Sequence, residues 1–147
     1  MRNLLEDIHP TLLMGPGPSC VHPAVYHALS RPTLGHLDGY FIRIMDEIKD
    51  QLRRAMGTQN AMTLPLSGTG SAGMEAAFVN TVERGDRVLV LVNGVFGTRM
   101  ADVAGRLGAR VDRLDFDWGH PVEPQAVKEK LDENEYDIVA IVRLFTQ

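Results

Sequence analysis

The residues with the clearest chemical potential form a segment rich in glycine and hydroxyl side chains, residues 67–73, between an apolar run and a helical pattern. A helix that begins directly after glycines has N–H groups without acceptors. These groups and the positive end of the helix dipole together attract a phosphate. Thr69 and Ser71 stand at the predicted helix start, where a hydroxyl caps the helix or binds an anion. The same pattern is equally typical of a turn and cap that bind no ligand.

The composition restricts the class of protein. A chain of 147 residues with 44% hydrophobic residues is typical of one globular domain or part of a larger one. The net charge of −4 comes from mixed charges without basic runs, so we expect neither a nucleic-acid nor a membrane partner. The single cysteine, Cys20, excludes an internal disulfide. The histidines have no metal-ligand spacing, and no secretory signal or membrane span is evident. We therefore expect a soluble intracellular protein without a metal site.

The hydrophobic periodicity supplies the elements that would position the glycine segment. The sequence predicts helices over residues 23–30, 38–56, 98–107 and 124–134, besides the one that follows the glycines. It predicts strands over residues 61–66, 87–92, 109–116 and 137–142. Four strands joined by helical crossovers predict an α/β fold with a mostly parallel sheet. Ligands of such sheets collect beyond the carboxyl ends of the strands, where the glycine segment lies.

Two kinds of phosphate ligand fit this segment. Gly68, Gly70 and Gly73 have the spacing of a dinucleotide fingerprint, but that site also needs an acid at the far end of the following strand. Asp86 precedes that strand instead, which argues against a dinucleotide. The other candidate is a phosphate-bearing cofactor with a flat ring, stacked on an aromatic residue. Phe96 stands in a glycine-bracketed loop after the strand over residues 87–92, where such an aromatic residue is needed. A core aromatic residue would give the same sequence pattern.

Four segments together resemble the N-terminal part of class V pyridoxal-phosphate aminotransferases, in the alanine–glyoxylate or serine–pyruvate branch. They are residues 12–19, 44–49, 66–77 and 92–99. The resemblance implies the large domain of the aspartate-aminotransferase-like fold, also called fold type I of the pyridoxal-phosphate-dependent transferases, in incomplete form. It further implies an N-terminal arm over residues 1–37 and the first part of the cofactor-binding domain over residues 38–147.

The resemblance also implies roles for particular residues. The phosphate of pyridoxal 5′-phosphate would be held by Thr69, Gly70 and Ser71. Phe96 matches the position at which the family stacks an aromatic ring on the pyridine. The loop that lines the family's substrate entrance corresponds to Gly15, Pro16 and Gly17. The implied reaction moves an amino group between alanine or serine and glyoxylate or pyruvate, in a homodimer.

The lysine that would form the Schiff base with the cofactor has no counterpart in this sequence. Lys49, Lys128 and Lys130 all lie on charged helical patterns, and the sequence departs from the family after residue 142. We therefore expect an N-terminal portion without a catalytic lysine that is inactive alone, with residues 61–66 lacking their strand partners and the isolated chain poorly stable. A non-catalytic dimerising or binding remnant is the alternative. The compartment is expected to be the cytoplasm or the peroxisome.

Overall fold

The computed structural model describes residues 4–9, 11–15 and 17–142. The described chain divides into two compact units, one extending to Pro65 and the other beginning at Leu66. The expected division between an arm over residues 1–37 and a cofactor-binding domain over residues 38–147 stays a prediction.

The first unit contains a short 3-10 helix, Leu4–Asp7, and two α-helices, α1 over Pro23–Leu29 and α2 over Gly39–Met56. Local chemistry defines both ends of α2. The carboxylate of Asp38 accepts a hydrogen bond from Tyr40 N at 2.7 Å, which caps the start of the helix. Gly57 ends it in the left-handed conformation, with φ of 61°. These two helices confirm the helices predicted over residues 23–30 and 38–56.

Residues 61–66 form neither a helix nor a strand. The strand predicted from the apolar run is therefore wrong, whereas the expectation that this segment lacks strand partners agrees with the structure. The backbone carbonyls at its start accept hydrogen bonds from a side chain instead of a neighbouring strand. Arg53 donates from Nε to Asn60 O at 3.1 Å and from Nη2 to Ala61 O at 2.9 Å. A strand needs a partner for its ladder of hydrogen bonds, and the apolar pattern alone does not supply one.

The second unit is an α/β layer with three parallel strands in the order β2-β1-β3. Its elements follow the chain as α3 Gly70–Thr81, β1 Arg87–Val92, α4 Val95–Arg106, β2 Arg110–Asp115, α5 Pro124–Glu133 and β3 Ile138–Ile141. β1 is the central strand, and Val88, Leu89 and Val90 have no exposed surface. This burial on both faces explains why the strand is a continuous apolar run. The predicted parallel sheet with helical crossovers is confirmed, and the described residues form three of its four predicted strands.

One face of β1 forms the centre of the core. Val88, Val90 and Val92 point to the same side because side chains alternate along a strand. They pack in one apolar cluster with Phe78 and Val82 from the region of α3, Met100 and Ala104 from α4, and Ala140 from β3. The core therefore joins α3 and α4 to the same face of the sheet, which fixes the starts of both helices relative to β1.

The start of α4 differs from the prediction. The sequence places a loop around Phe96 and begins the helix at residue 98, whereas α4 begins at Val95 and includes Phe96. Gly97 is helical and buried, and a Cβ at this position would lie 2.8 Å from Val92 Cα. This glycine therefore does not break the helix. It allows the first turn of α4 to approach the end of β1 closely.

Candidate functional site

The start of α3 presents backbone donors that have no partner among the described residues. The Oγ1 atom of Thr69, the capping residue, accepts a hydrogen bond from Ala72 N at 3.2 Å. The N–H groups of Gly70 and Ser71 have no intrahelical acceptor, since the residues four positions earlier precede the helix. The first turn of α3 carries no acidic side chain. Donors without helical acceptors and the absence of an acidic side chain are features that favour an anion at this helix start, and the predicted phosphate site stays a prediction.

The geometry of the glycines does not match a dinucleotide site. A Cβ at Gly70 or Gly73 would meet no heavy atom within 4 Å, so neither glycine is required by a close approach of helix and strand. In the dinucleotide fingerprint the third glycine serves such an approach. Asp86 lies at the amino end of β1, where its carboxylate accepts a hydrogen bond from Glu83 N at 2.7 Å. It is therefore at the wrong end of the strand to hold a ribose, as the sequence indicated.

Arg99 connects α4 to the start of α3. Its Nη1 atom donates a hydrogen bond to Ser71 Oγ, across 28 residues of sequence. Because α4 begins three residues after β1 ends, this contact places the start of α3 at the carboxyl edge of the sheet. Sequence reasoning assigned no role to Arg99. The available signal was its position in the first turns of a helix that directly follows a buried strand.

Phe96 lies one helical turn before Arg99, so both side chains project from the same side of α4. The ring of Phe96 is half-buried. It belongs neither to the buried apolar cluster nor to the partly buried side chains packed against that cluster. The alternative that Phe96 is a core aromatic is therefore not supported. The structure brings Phe96, Arg99 and Ser71 to one edge of the sheet.

A groove of about 290 Å³ lies between α3 and α4 and is lined by Ser71 and Arg99, among others. Its charges are mixed, because Glu75 and Asp102 also line it. Asp102 Oδ2 is paired with Arg106 Nε at 2.9 Å. The groove thus combines one paired acid, one further acid and the guanidinium that contacts Ser71.

The other predicted site residues lie elsewhere. Gly15 and Gly17 belong to the first unit, and Pro16 lies outside the described residues. Lys49 on α2 pairs with Asp46 at 2.6 Å, while Lys128 and Lys130 lie on α5. Among the described residues, no helix is both long and apolar enough to cross a membrane. No group of three or more His, Cys, Asp or Glu side chains in the described ranges is arranged to hold a metal ion.

The amino edge of the sheet carries a polar cluster of a different kind. Arg87 Nη2 donates to Asp112 Oδ2 and to Asn134 Oδ1, each at 2.9 Å. The hydroxyl of Tyr136 donates to the same Asp112 oxygen at 2.8 Å, and the guanidinium of Arg87 lies over the Tyr136 ring at 5.0 Å. The backbone N–H of Arg87 donates to Asp137 Oδ2 at 2.8 Å. This cluster ties together the amino ends of all three strands.

Two pKa values in this cluster are displaced from their ordinary values. The hydrogen bond from Tyr136, opposed by burial and supported by Arg87, holds the pKa of Asp112 below 3.8. Burial, followed by the hydrogen bond to Asp112, raises the pKa of Tyr136 above 10.0. The two pKa shifts keep the Asp112 carboxylate charged and the Tyr136 phenol neutral over a wider pH range.

The fold and the site together define a class of protein: a parallel α/β domain with an open helix start at the carboxyl edge of its central strand. The family Aminotransferase class-V matches residues 22–146 of this chain. The chain therefore belongs to the class V aminotransferases, and the resemblance noted from its sequence segments is confirmed.

Three individual proteins show how similar the chain is to members of this family. The chain is 44% identical to an alanine–glyoxylate aminotransferase of Callithrix jacchus over 120 residues, which are 82% of this chain and 29% of the relative. It superimposes on the crystal structure of alanine–glyoxylate aminotransferase from Nostoc sp. with a TM-score of 0.78 and 39% identity, over 95% of this chain and 39% of the other. The ureidoglycine–glyoxylate aminotransferase of Bacillus subtilis also gives a TM-score of 0.78, with 34% identity, over 90% of this chain and 34% of the other. The predicted aminotransferase fold is thus confirmed, and the chain spans 29–39% of the length of these three proteins.

Proposed function

We propose that this chain supplies the phosphate-binding part of a pyridoxal-phosphate-dependent aminotransferase. Pyridoxal 5′-phosphate acts in such enzymes as an electron sink for carbon–nitrogen chemistry, while the protein supplies binding and orientation. The observation that carries the proposal is the open start of α3, where the N–H groups of Gly70 and Ser71 have no helical acceptor. Membership of the class V family supports this cofactor.

The residues present fit the phosphate group of this cofactor. The first turn of α3 has no acid to repel a dianion. Thr69 uses an Oγ1 lone pair to cap Ala72, so its hydroxyl proton remains available for a phosphate oxygen. In this proposal Thr69, Gly70 and Ser71 hold the phosphate through N–H and hydroxyl donors. A phosphate at a helix start benefits from both the donors and the dipole.

Phe96 is proposed to stack on the pyridine ring. Its ring stands outside the packed core of the second unit and is only half-buried. An aromatic face beside a flat heterocycle contributes about 0.5–1.5 kcal/mol beyond the area that it buries. The ring and the phosphate of one cofactor would therefore be recognised by the first turns of two different helices, α4 and α3.

For the substrates we propose an amino-acid donor and a 2-oxo-acid acceptor. The donor is alanine or serine, and the acceptor is glyoxylate or pyruvate. The relatives from Callithrix jacchus and Nostoc sp. are named for alanine and glyoxylate, and the protein from Bacillus subtilis is named for ureidoglycine and glyoxylate. Glyoxylate is common to all three names, whereas the donor differs. The acceptor therefore has the wider support, and alanine is the donor favoured by the names.

The covalent lysine is proposed to lie outside these 147 residues. The side chain of Lys49 is held by Asp46 at 2.6 Å. The charge of Lys130 contributes to lowering the pKa of Asp112, which belongs to the cluster at the amino edge of the sheet. Lys130 is therefore near the amino edge, whereas Ser71 is at the carboxyl edge. We therefore propose that this chain binds the cofactor without a covalent bond and does not turn over alone. The complete enzyme is proposed to be an intracellular homodimer of the cytoplasm or peroxisome, with Gly15, Pro16 and Gly17 at its substrate entrance.

The proposal is tested by measuring the affinity of the 147-residue chain for pyridoxal 5′-phosphate by equilibrium dialysis. Thr69→Ala is expected to weaken binding about threefold to tenfold, because one donor to the phosphate is lost. Thr81→Ala is the matched control, since this hydroxyl lies at the other end of α3 and donates to Ala77 O. Equal effects of both substitutions, or no binding by the unsubstituted chain, would contradict the phosphate site.

The covalent part of the proposal needs a separate measurement. Borohydride treatment of the chain with its cofactor, followed by peptide mass spectrometry, is expected to leave Lys49, Lys128 and Lys130 unmodified. Stoichiometric pyridoxyl labelling of one of these lysines would show that the chain carries its own covalent lysine.

A further inference from the structure

Arg99 is held beside the proposed phosphate site by a contact that exists only in the folded chain. Its Nη1 atom donates to Ser71 Oγ, and the two residues are 28 positions apart in the sequence. The core fixes the two helices relative to each other, since Phe78 of α3 and Met100 of α4 pack in the same apolar cluster. The guanidinium therefore reaches Ser71 from a rigid support.

The direction of this hydrogen bond determines what the serine hydroxyl can do. A guanidinium has only donors, whereas a serine hydroxyl has one donor and two acceptor lone pairs. Ser71 Oγ must therefore be the acceptor, and its own proton remains free. Ser71 lies in the first turn of α3 together with Gly70, whose N–H has no helical acceptor. Arg99 therefore leaves the serine able to donate to an anion at this helix start.

The charge of Arg99 is not neutralised by an ion pair in the described part of the chain. Asp102 lies three residues further along α4, a spacing that often supports a salt bridge. Its Oδ2 atom is instead paired with Arg106 Nε at 2.9 Å. Glu75 lines the same groove without forming a salt bridge to Arg99. The positive charge of Arg99 thus adds to the positive end of the α3 dipole.

We infer that Arg99 is a positioning residue for the cofactor phosphate: it holds Ser71 as a hydrogen-bond donor and adds a positive charge at the start of α3. This inference rests on the proposed function and deepens it. The role concerns the phosphate and not the ring, so Arg99 sets the preference of the site for pyridoxal 5′-phosphate over pyridoxal, which has the same ring without the phosphate.

The experiment compares dissociation constants of the 147-residue chain for these two ligands. Arg99→Gln is expected to raise the dissociation constant for pyridoxal 5′-phosphate about tenfold. This is the effect of losing one charge-assisted hydrogen bond, here the bond that Ser71 would donate to the phosphate. The constant for pyridoxal is expected to change by less than about twofold. The double variant Asp102→Asn/Arg106→Gln is the matched control, because it removes an ion pair from the same helix and groove without freeing a carboxylate beside Arg99 and without removing the contact with Ser71.

Two further variants separate positioning from general stability. Arg99→Lys keeps the charge without the planar fork of donors, so an intermediate affinity for pyridoxal 5′-phosphate is expected. In a Ser71→Ala background the effect of Arg99→Gln is expected to fall below about threefold, because the residue through which Arg99 acts is gone. A full tenfold effect in that background would overturn the positioning role.

The outcomes distinguish the inference from the proposal on which it rests. Equal weakening by Arg99→Gln and by the double variant Asp102→Asn/Arg106→Gln, or equal weakening of both ligands by Arg99→Gln, would overturn the role of Arg99 while leaving the phosphate site intact. An unsubstituted chain that binds pyridoxal as tightly as pyridoxal 5′-phosphate would overturn the proposed function itself, and the role of Arg99 with it.

Discussion

The two edges of the parallel sheet use their polar groups in opposite ways. At the amino edge, Arg87, Asp112 and Tyr136 satisfy one another, and each bond joins residues from different strands or their flanks. At the carboxyl edge, the N–H groups of Gly70 and Ser71 have no helical acceptor, and Arg99 has a serine as its partner instead of a carboxylate. The closed cluster contributes to folding, whereas the open groups are available to a ligand.

This difference has a physical cause. Hydrogen-bonding groups that are paired with one another stabilise the fold but have little capacity left for a ligand. Backbone N–H groups that contact only water contribute little to folding, but they form hydrogen bonds with an anion when it binds. If the proposed phosphate site is correct, the sheet separates stability from binding along the strand axis, and substitutions at the two edges are expected to have different effects.

Gly97→Ala is expected to have the largest effect on stability, because the new Cβ would lie 2.8 Å from Val92 Cα at the carboxyl end of β1. Overpacking against backbone of this kind costs about 1–3 kcal/mol of the free energy of unfolding. Gly105→Ala in the same helix is the control, since its Cβ would meet nothing within 4 Å. This control is expected to stabilise the chain by about 0.5–1 kcal/mol through helix propensity. Urea denaturation measures both, and the same sign for both would contradict the close approach.

Asp112→Ala is expected to lower the free energy of unfolding by about 1–1.5 kcal/mol, since Arg87 and Tyr136 lose a shared acceptor. The value is modest because the side chains of Arg87 and Asp112 are 40% and 36% exposed, so solvent screens their attraction. The affinity for pyridoxal 5′-phosphate extrapolated to the folded chain is expected to be unchanged. Asp115→Ala, which breaks an exposed pair with Arg113, is the control and is expected to cost less than about 0.5 kcal/mol.

Thr69→Ala is expected to cost about 0.5–1 kcal/mol of stability, because the cap on Ala72 N is lost. At the carboxyl edge this loss is expected to be accompanied by weaker binding of the cofactor, unlike the loss at Asp112. Thermal melts with and without pyridoxal 5′-phosphate measure both effects. Ligand-induced stabilisation as large in Thr69→Ala as in the unsubstituted chain would contradict the contrast between the edges.

The smallest expected effect is the pH dependence of the amino edge. The pKa of Asp112 is lowered in the folded chain, so its contribution is present above 3.8 and is lost as the pH falls through the lower folded value. The pKa of Tyr136 is raised, so its contribution is present below 10.0 and is lost as the pH rises through the higher folded value. Melting temperatures measured against pH are expected to fall less steeply below pH 3.8 in Asp112→Asn than in the unsubstituted chain. Identical acid limbs would show that this carboxylate does not contribute.

The elements that the sequence predicted well are those defined by local chemistry. Asp38 and Gly57 mark the ends of α2 because a cap and a left-handed residue act on their immediate neighbours. The apolar run over residues 61–66 does not form a strand, because strand pairing depends on residues distant in sequence. The resemblance to the family had already implied that its strand partners are missing. Arg53 takes the carbonyl of Ala61 that a neighbouring strand would have used.

The candidate site was predictable only in part for the same reason. The capping role of Thr69 follows from residues within one turn of the helix. The sequence placed Gly97 in a loop, because its close approach to Val92 involves backbone atoms that a sequence pattern does not show. The position of Arg99 at the start of a helix after a buried strand was a local signal, but its partner Ser71 lies 28 residues away on another helix and was not indicated by any local pattern.

The most direct test of the contrast between the two edges is a titration of the 147-residue chain with pyridoxal 5′-phosphate, monitored by amide chemical shifts in NMR. We expect saturable shifts of the Gly70 and Ser71 amides, smaller shifts with pyridoxal, and unchanged amides at Arg87 and Asp137. Shifts that are as large at the amino edge as at the start of α3, or that are the same for both ligands, would contradict this expectation.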